Sequence, residues 1–209
     1  MITELPPLDP SAPEPGGAGP DHPMRKVTRQ VAFETGGWTP ERAKKVEALF
    51  DELAPEWASR HTDQRMTPLV DALDRGEVHA ESCVELGAGT GPGTSVLCGH
   101  FKQVFAFDIS QEMLRRLAPE WGRRVRADAS RLPLRDASAD ALILMNMLLF
   151  PDEVERVLAP TGALVWVNSR GDQTPIHLSA EDVARALPGE WSGTAAHAGT
   201  GLWCVLRRV

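Results

Sequence analysis

One stretch, Cys83-Val84-Glu85-Leu86-Gly87-Ala88-Gly89-Thr90-Gly91-Pro92-Gly93-Thr94, constrains the fold more than any other part of the 209-residue chain. A short apolar run that reads as a strand enters a turn with a glycine at every second position. The turn opens onto a proline suited to the first turn of a helix. Short apolar runs then alternate with helical stretches, at 83–86, 104–107, 125–127, 141–145 and 163–167. Runs this apolar suit strands covered on both faces, and their alternation with helices implies parallel crossovers.

The flanks read differently. Residues 191–196 and 202–206, separated by Gly199-Thr200-Gly201, predict a closing hairpin. Ser179 and Asp182 predict a capped helix that ends at Pro188-Gly189. Residues 1–23 hold Pro6, Pro7, Pro10, Pro13, Pro15, Pro20 and Pro23 and few large apolar side chains, so an extended or mobile tail is expected. Residues 24–79 form a helical preface, expected to act as a lid. Its basic stretch, Arg25-Lys26-Val27-Thr28-Arg29, is expected to be a solvated helix face. In it Thr39-Pro40 starts a helix continued by Ala43, Val46, Leu49, Phe50 and Leu53. Pro55 is expected to restart a second helix carrying Trp57, and a third runs from Thr67-Pro68 to Gly76. Residues 80–209 are the expected core.

The turn is a ligand site. Glycines let a ligand approach the backbone, and Asp108 ends the second strand about twenty residues on, where a doubly wound sheet places a carboxylate for ribose hydroxyls. A dinucleotide site needs a third glycine in G-x-G-x-x-G, and Pro92 stands there instead. The pattern is Glu85-x-Gly87-x-Gly89-x-Gly91, whose acidic residue suits a ligand with an ammonium and no phosphate. S-adenosylmethionine has that character.

These residues resemble the first motif of class I S-adenosylmethionine-dependent methyltransferases, and Val104-Phe105-Ala106-Phe107-Asp108-Ile109-Ser110 resembles their second. Arg126-Ala127-Asp128-Ala129 with Leu132-Pro133-Leu134 resembles the adenine-reading segment. Asp140-Ala141-Leu142-Ile143-Leu144-Met145-Asn146 resembles the fourth strand, and Val157-Leu158-Ala159-Pro160-Thr161-Gly162-Ala163-Leu164 the turn before the fifth. The resemblance covers residues 80–209. It implies an α/β, Rossmann-like, doubly wound and mainly parallel seven-stranded sheet with a C-terminal antiparallel hairpin. It also implies roles. The backbone of Gly87, Ala88, Gly89 and Gly91 passes beneath the methionine part of the cofactor, with Glu85 oriented toward its ammonium through backbone or water. Asp108 takes the ribose hydroxyls and Ile109 packs on adenine. Asp128 accepts from the adenine amino group while the Ala129 amide donates to a ring nitrogen. Asn146 and Met147 lie near the sulfonium.

A sulfonium is already an activated methyl donor, so alignment and exclusion of water carry the chemistry and no fixed catalytic residue is required. A base would help a hydroxyl or ammonium acceptor; His61 and His177 are weak candidates, and Arg65 is expected to be solvated. The sequence Asn146-Met147-Leu148-Leu149-Phe150 lacks the two prolines of enzymes that methylate amide or nucleobase nitrogens. Met147, Leu148 and Phe150 line an apolar acceptor pocket or pack in the core. No His, Cys or carboxylate set has metal-ligand spacing, and Cys83, Cys98 and Cys204 read as reduced thiols. The formal net charge of −7 disfavours nucleic acid and anionic membranes as partners. The expectation is a cytoplasmic enzyme for a small-molecule acceptor, with no secretory signal or membrane span; the oligomeric state is open. Alternatives are methylation of RNA or protein, and a non-catalytic cofactor-binding partner protein.

Overall fold

The computed structural model describes residues 1–9, 11, 19–57 and 62–209. The sheet has eight strands: β1 (Ile2–Glu4), β2 (Ser82–Leu86), β3 (Gln103–Asp108), β4 (Arg123–Arg126), β5 (Ala139–Met145), β6 (Leu158–Asn168), β7 (Trp191–Ala198) and β8 (Gly201–Arg208). Their order is β1-β7-β8-β6-β5-β2-β3-β4. The segment β6-β5-β2-β3-β4 is parallel, and β8 runs antiparallel to both β6 and β7. The parallel part of the sheet starts in β2, steps outward to β3 and β4, and returns to β5 on the other side. That reversal leaves a crevice at the carboxyl ends of β2 and β5, the place where doubly wound sheets bind ligands.

The helices are α1 (Met24–Phe33), α2 (Pro40–Trp57), α3 (Thr67–Arg75), α4 (Pro92–His100), α5 (Gln111–Arg116), α6 (Pro151–Val157) and α7 (Ala180–Ala186). Alternate side chains of β5 enter opposite layers. Leu142 and Leu144 join Val31, Val154, Trp166 and Val183 on one face of the sheet. Ala141 and Ile143 join Leu69, Leu97, Val165 and Trp203 on the other. This two-sided burial is why β5 reads as a continuous apolar run and not an alternating one. Asp71 of α3 accepts the Trp203 indole N–H at 2.6 Å, fastening that helix to β8.

Three local expectations change. The sheet has eight strands, not seven, because Ile2–Glu4 adds an edge strand parallel to β7. Three residues of a proline-rich segment suffice, since an edge strand needs partners on one side only. The preface helix does not restart at Pro55; α2 runs through it to Trp57. Pro55 lacks an N–H, so α2 forgoes the bond to the Asp51 carbonyl there without ending. The basic stretch is not merely solvated either, because Arg29 pairs with Asp182 of α7 at 2.8 Å. Among the described residues no helix is long and apolar enough to cross a membrane.

Candidate cofactor site

The glycine turn is built as its sequence requires. Gly87, Gly89 and Gly91 have φ of +74°, +58° and +94°. The Gly87 and Ala88 amides donate to the Phe107 carbonyl at 2.8 and 3.0 Å, which ties the turn to the end of β3. A Cβ on Gly87 would stand 2.6 Å from the Met147 Sδ, so the residue must be bare on two counts.

Glu85 lies beneath the turn and is buried. Its carboxyl accepts the Thr94 hydroxyl at 2.5 Å, bracing β2 against the start of α4. Burial pushes the Glu85 carboxyl up to about 7, with the Thr94 bond opposing. Asp108 is also buried. One of its oxygens accepts the Gly89 amide at 2.8 Å and the other the Ser110 amide at 2.8 Å. Burial raises its pKa against these bonds, and the charge of Asp51 adds to the rise.

Further along the carboxyl edge, Asp128 accepts the Ser130 amide at 2.9 Å and, across both oxygens, the Trp38 indole N–H at 3.1 and 2.9 Å. Ala129 is buried, and its amide has no hydrogen-bond partner among the described residues. A cavity of about 640 Å³ opens here between the preface and the core; Trp38, Ala43 and Glu47 line one side, Ile109, Ala127 and Asp128 the other.

At the end of β5, Asn146 adopts φ +52°. Its Oδ1 accepts the Ser169 amide at 2.9 Å and its Nδ2 donates to the Ser169 hydroxyl at 3.0 Å, clamping β5 to β6. Arg65, expected in solvent, is half-buried and donates to the same hydroxyl at 3.2 and 3.3 Å. Met147 is half-buried against Gly87, but Leu148 and Phe150 belong to the core, and Phe150 packs edge-on against Trp38 with centroids 5.3 Å apart.

His177 stands apart from this group. Its charged neighbours are Arg25, Asp172 and Asp182, and burial drives its pKa down to about 4. Both ring nitrogens are buried without a partner among the described residues. His61 lies outside the described residues. Trp38 and Asp51 escaped the sequence reading, because their contacts span 90 and 59 residues and leave no local pattern.

Residues 84–166 match the family described as "Methyltransferase domain". Over that stretch, about two fifths of the chain, the sequence is similar to that family. The chain is 37% identical over 114 residues to malonyl-[acyl-carrier protein] O-methyltransferase of Halorhodospira halophila, covering 47% of this chain and 38% of that one. It is 31% identical over 138 residues to demethylmenaquinone methyltransferase of Clavibacter sepedonicus, covering 58% and 56%. The matches therefore span little more than half, or less, of these relatives' lengths. A solved complex of DhpI with SAH superposes with a TM-score of 0.62 at 20% identity, over 79% of this chain and 96% of that one. This likeness shows the fold of the methyltransferase domain.

Proposed function

We propose that the chain binds S-adenosylmethionine across the carboxyl edge of β2, β3 and β4 and transfers its methyl group to a small-molecule acceptor. The observation that carries the reading is the alignment of the bare Gly87–Gly91 turn, the Asp108 carboxylate and Asp128 beside the cavity, at the switch point of the sheet. The residues present fit the cofactor: a Cβ would fill the cradle at Gly87, and the Ala129 amide is an unspent donor beside Asp128. When bound, S-adenosylmethionine supplies a methyl carbon activated by a sulfonium.

The glycine backbone and Met147 hold the methionine arm. Asp108 binds at the ribose diol, Ile109 packs on the adenine face, and Asp128 with the Ala129 amide reads its edge. Glu85 acts from below by fixing the turn through Thr94. Asn146 fixes the end of β5 through Ser169, so the acceptor atom meets a rigid wall. Positioning and exclusion of water supply the rate. His177, held neutral away from the turn, takes no proton in this account.

A small acceptor is supported by the acidic net charge of −7 and by preface helices that pack over the site. Of the two relatives, one is named for demethylmenaquinone, a small acceptor, and the other for a malonyl group borne on an acyl-carrier protein. The test is formation of S-adenosylhomocysteine with a panel of small carboxylic acids, phenols, quinols and amines. Turnover with at least one class is expected. Turnover only with RNA or protein would overturn the acceptor reading.

A further inference from the structure

We propose that Asp51, on the preface helix α2, is a second ribose-binding carboxylate that faces Asp108 across the cofactor. The inference rests on cofactor binding at Asp108. Pro40, Ala43, Lys44 and Glu47 line the cavity from α2, and their spacing of three and four residues marks one helix face. Asp51 follows four residues after Glu47 and lies on that face.

Its Oδ1 accepts the Ser110 hydroxyl at 2.5 Å and the Glu112 amide at 3.2 Å, at the start of α5. Its Oδ2 has no donor among the described residues. The Asp108 carboxylate takes the backbone amide of the same Ser110 at 2.8 Å. Two carboxylates from distant parts of the chain thus converge on one residue. Among the described residues no cation pairs with either: α2 is tied to the core by Glu47 and Arg126, at another point of the helix. Among the described residues no group of three or more side chains could hold a metal ion there.

Two convergent anions repel, and the charge of Asp51 raises the Asp108 pKa further once burial has done so. Donors placed between them relieve that repulsion. A vicinal diol supplies two O–H donors at fixed spacing, one for each carboxylate, and the ribose edge of the cofactor is such a diol. Asp51 then has a second consequence: the cofactor draws α2 onto the core, because it completes a contact that the protein alone leaves half made.

The test compares S-adenosylhomocysteine with its 2′-deoxy and 3′-deoxy forms by calorimetry. In the parent each deletion should weaken binding about tenfold, the loss of one hydrogen bond to a charged acceptor. In Asp51→Asn one of the two penalties should shrink to about twofold or less while the other persists. Ser110→Ala breaks the docking bond but leaves both carboxylates, so both penalties should remain. Asp51→Ser serves in place of the Asn variant if circular dichroism shows the latter unfolded. Undiminished penalties in the Asp51 variants overturn the proposal, as does loss of the same penalty in Ser110→Ala, which would make Asp51 a docking residue only. Failure of the parent to bind S-adenosylhomocysteine would sink the cofactor reading itself.

Discussion

The sheet core and the helical preface contribute to the same site by different physics. The core brings its ligand-facing groups together with its own backbone: Gly89 and Ser110 amides hold Asp108, and Phe107 holds the turn. The preface brings side chains from a distance, Trp38 onto Asp128 and Asp51 onto Ser110, from helices that pack over the carboxyl edge. The first kind of contact is inseparable from folding. The second can be made or broken with the core intact. Substitutions at the core's ligand-facing groups should therefore damage stability together with binding, and substitutions at the preface contacts of Trp38 and Asp51 should change binding alone.

Gly87→Val should have the largest effect. A β-branched residue at φ +74° is strained by about 1–3 kcal/mol, and its Cβ would press the Met147 sulfur at 2.6 Å. Thermal melting should fall by several degrees and S-adenosylhomocysteine binding should weaken by roughly a hundredfold or more. A variant that loses binding at unchanged melting temperature would break the link between turn and core.

Glu85→Gln sharpens the same link through pH. The folded carboxyl sits at about 7, above the ordinary 4.5. Its protonated form is therefore the one the fold prefers, and stability is fully present below about pH 4.5. As pH rises the unfolded chain ionises first, and stability is lost until the pH passes about 7. The Gln variant escapes that loss, so denaturant melts should show it gaining on the parent from pH 5 to pH 8, by up to roughly 3 kcal/mol. Parallel stability curves would show that burial does not burden this carboxylate.

The smallest effect is expected in the preface. Trp38→Phe keeps the edge-on packing against Phe150 and removes only the N–H that orients Asp128. S-adenosylhomocysteine should bind about three- to tenfold more weakly, with stability changed by less than about 1 kcal/mol. A large stability loss would show that the preface is as integral to folding as the sheet.

The same contrast explains what was legible in the sequence. The glycine turn, Asp108 at a strand end and the hairpin at Gly199 are written in neighbouring residues, so spacing and turn chemistry reveal them. The strand Ile2–Glu4 has three residues and one large apolar side chain, too few for any period to show. Pro55 signals a break that tertiary packing overrides. Arg65, read as solvated, is half-buried and donates to the hydroxyl of Ser169, just past β6, a contact 104 residues away that leaves no local pattern. The bond between the Glu85 carboxyl and Thr94 beneath the turn is not marked by any spacing in the motif.

The central claim, that the carboxyl edge of this sheet binds the cofactor through its ribose, rests on Asp108. Titration of Asp108→Ala with S-adenosylhomocysteine, with far-UV circular dichroism as the folding control, tests it most directly. The account predicts a variant that still folds, though less stably because the Gly89 and Ser110 amides lose their acceptor, with binding weakened at least about tenfold, since bonds to a charged acceptor are worth roughly 1.5–3 kcal/mol each. A folded variant that binds as tightly as the parent would contradict it.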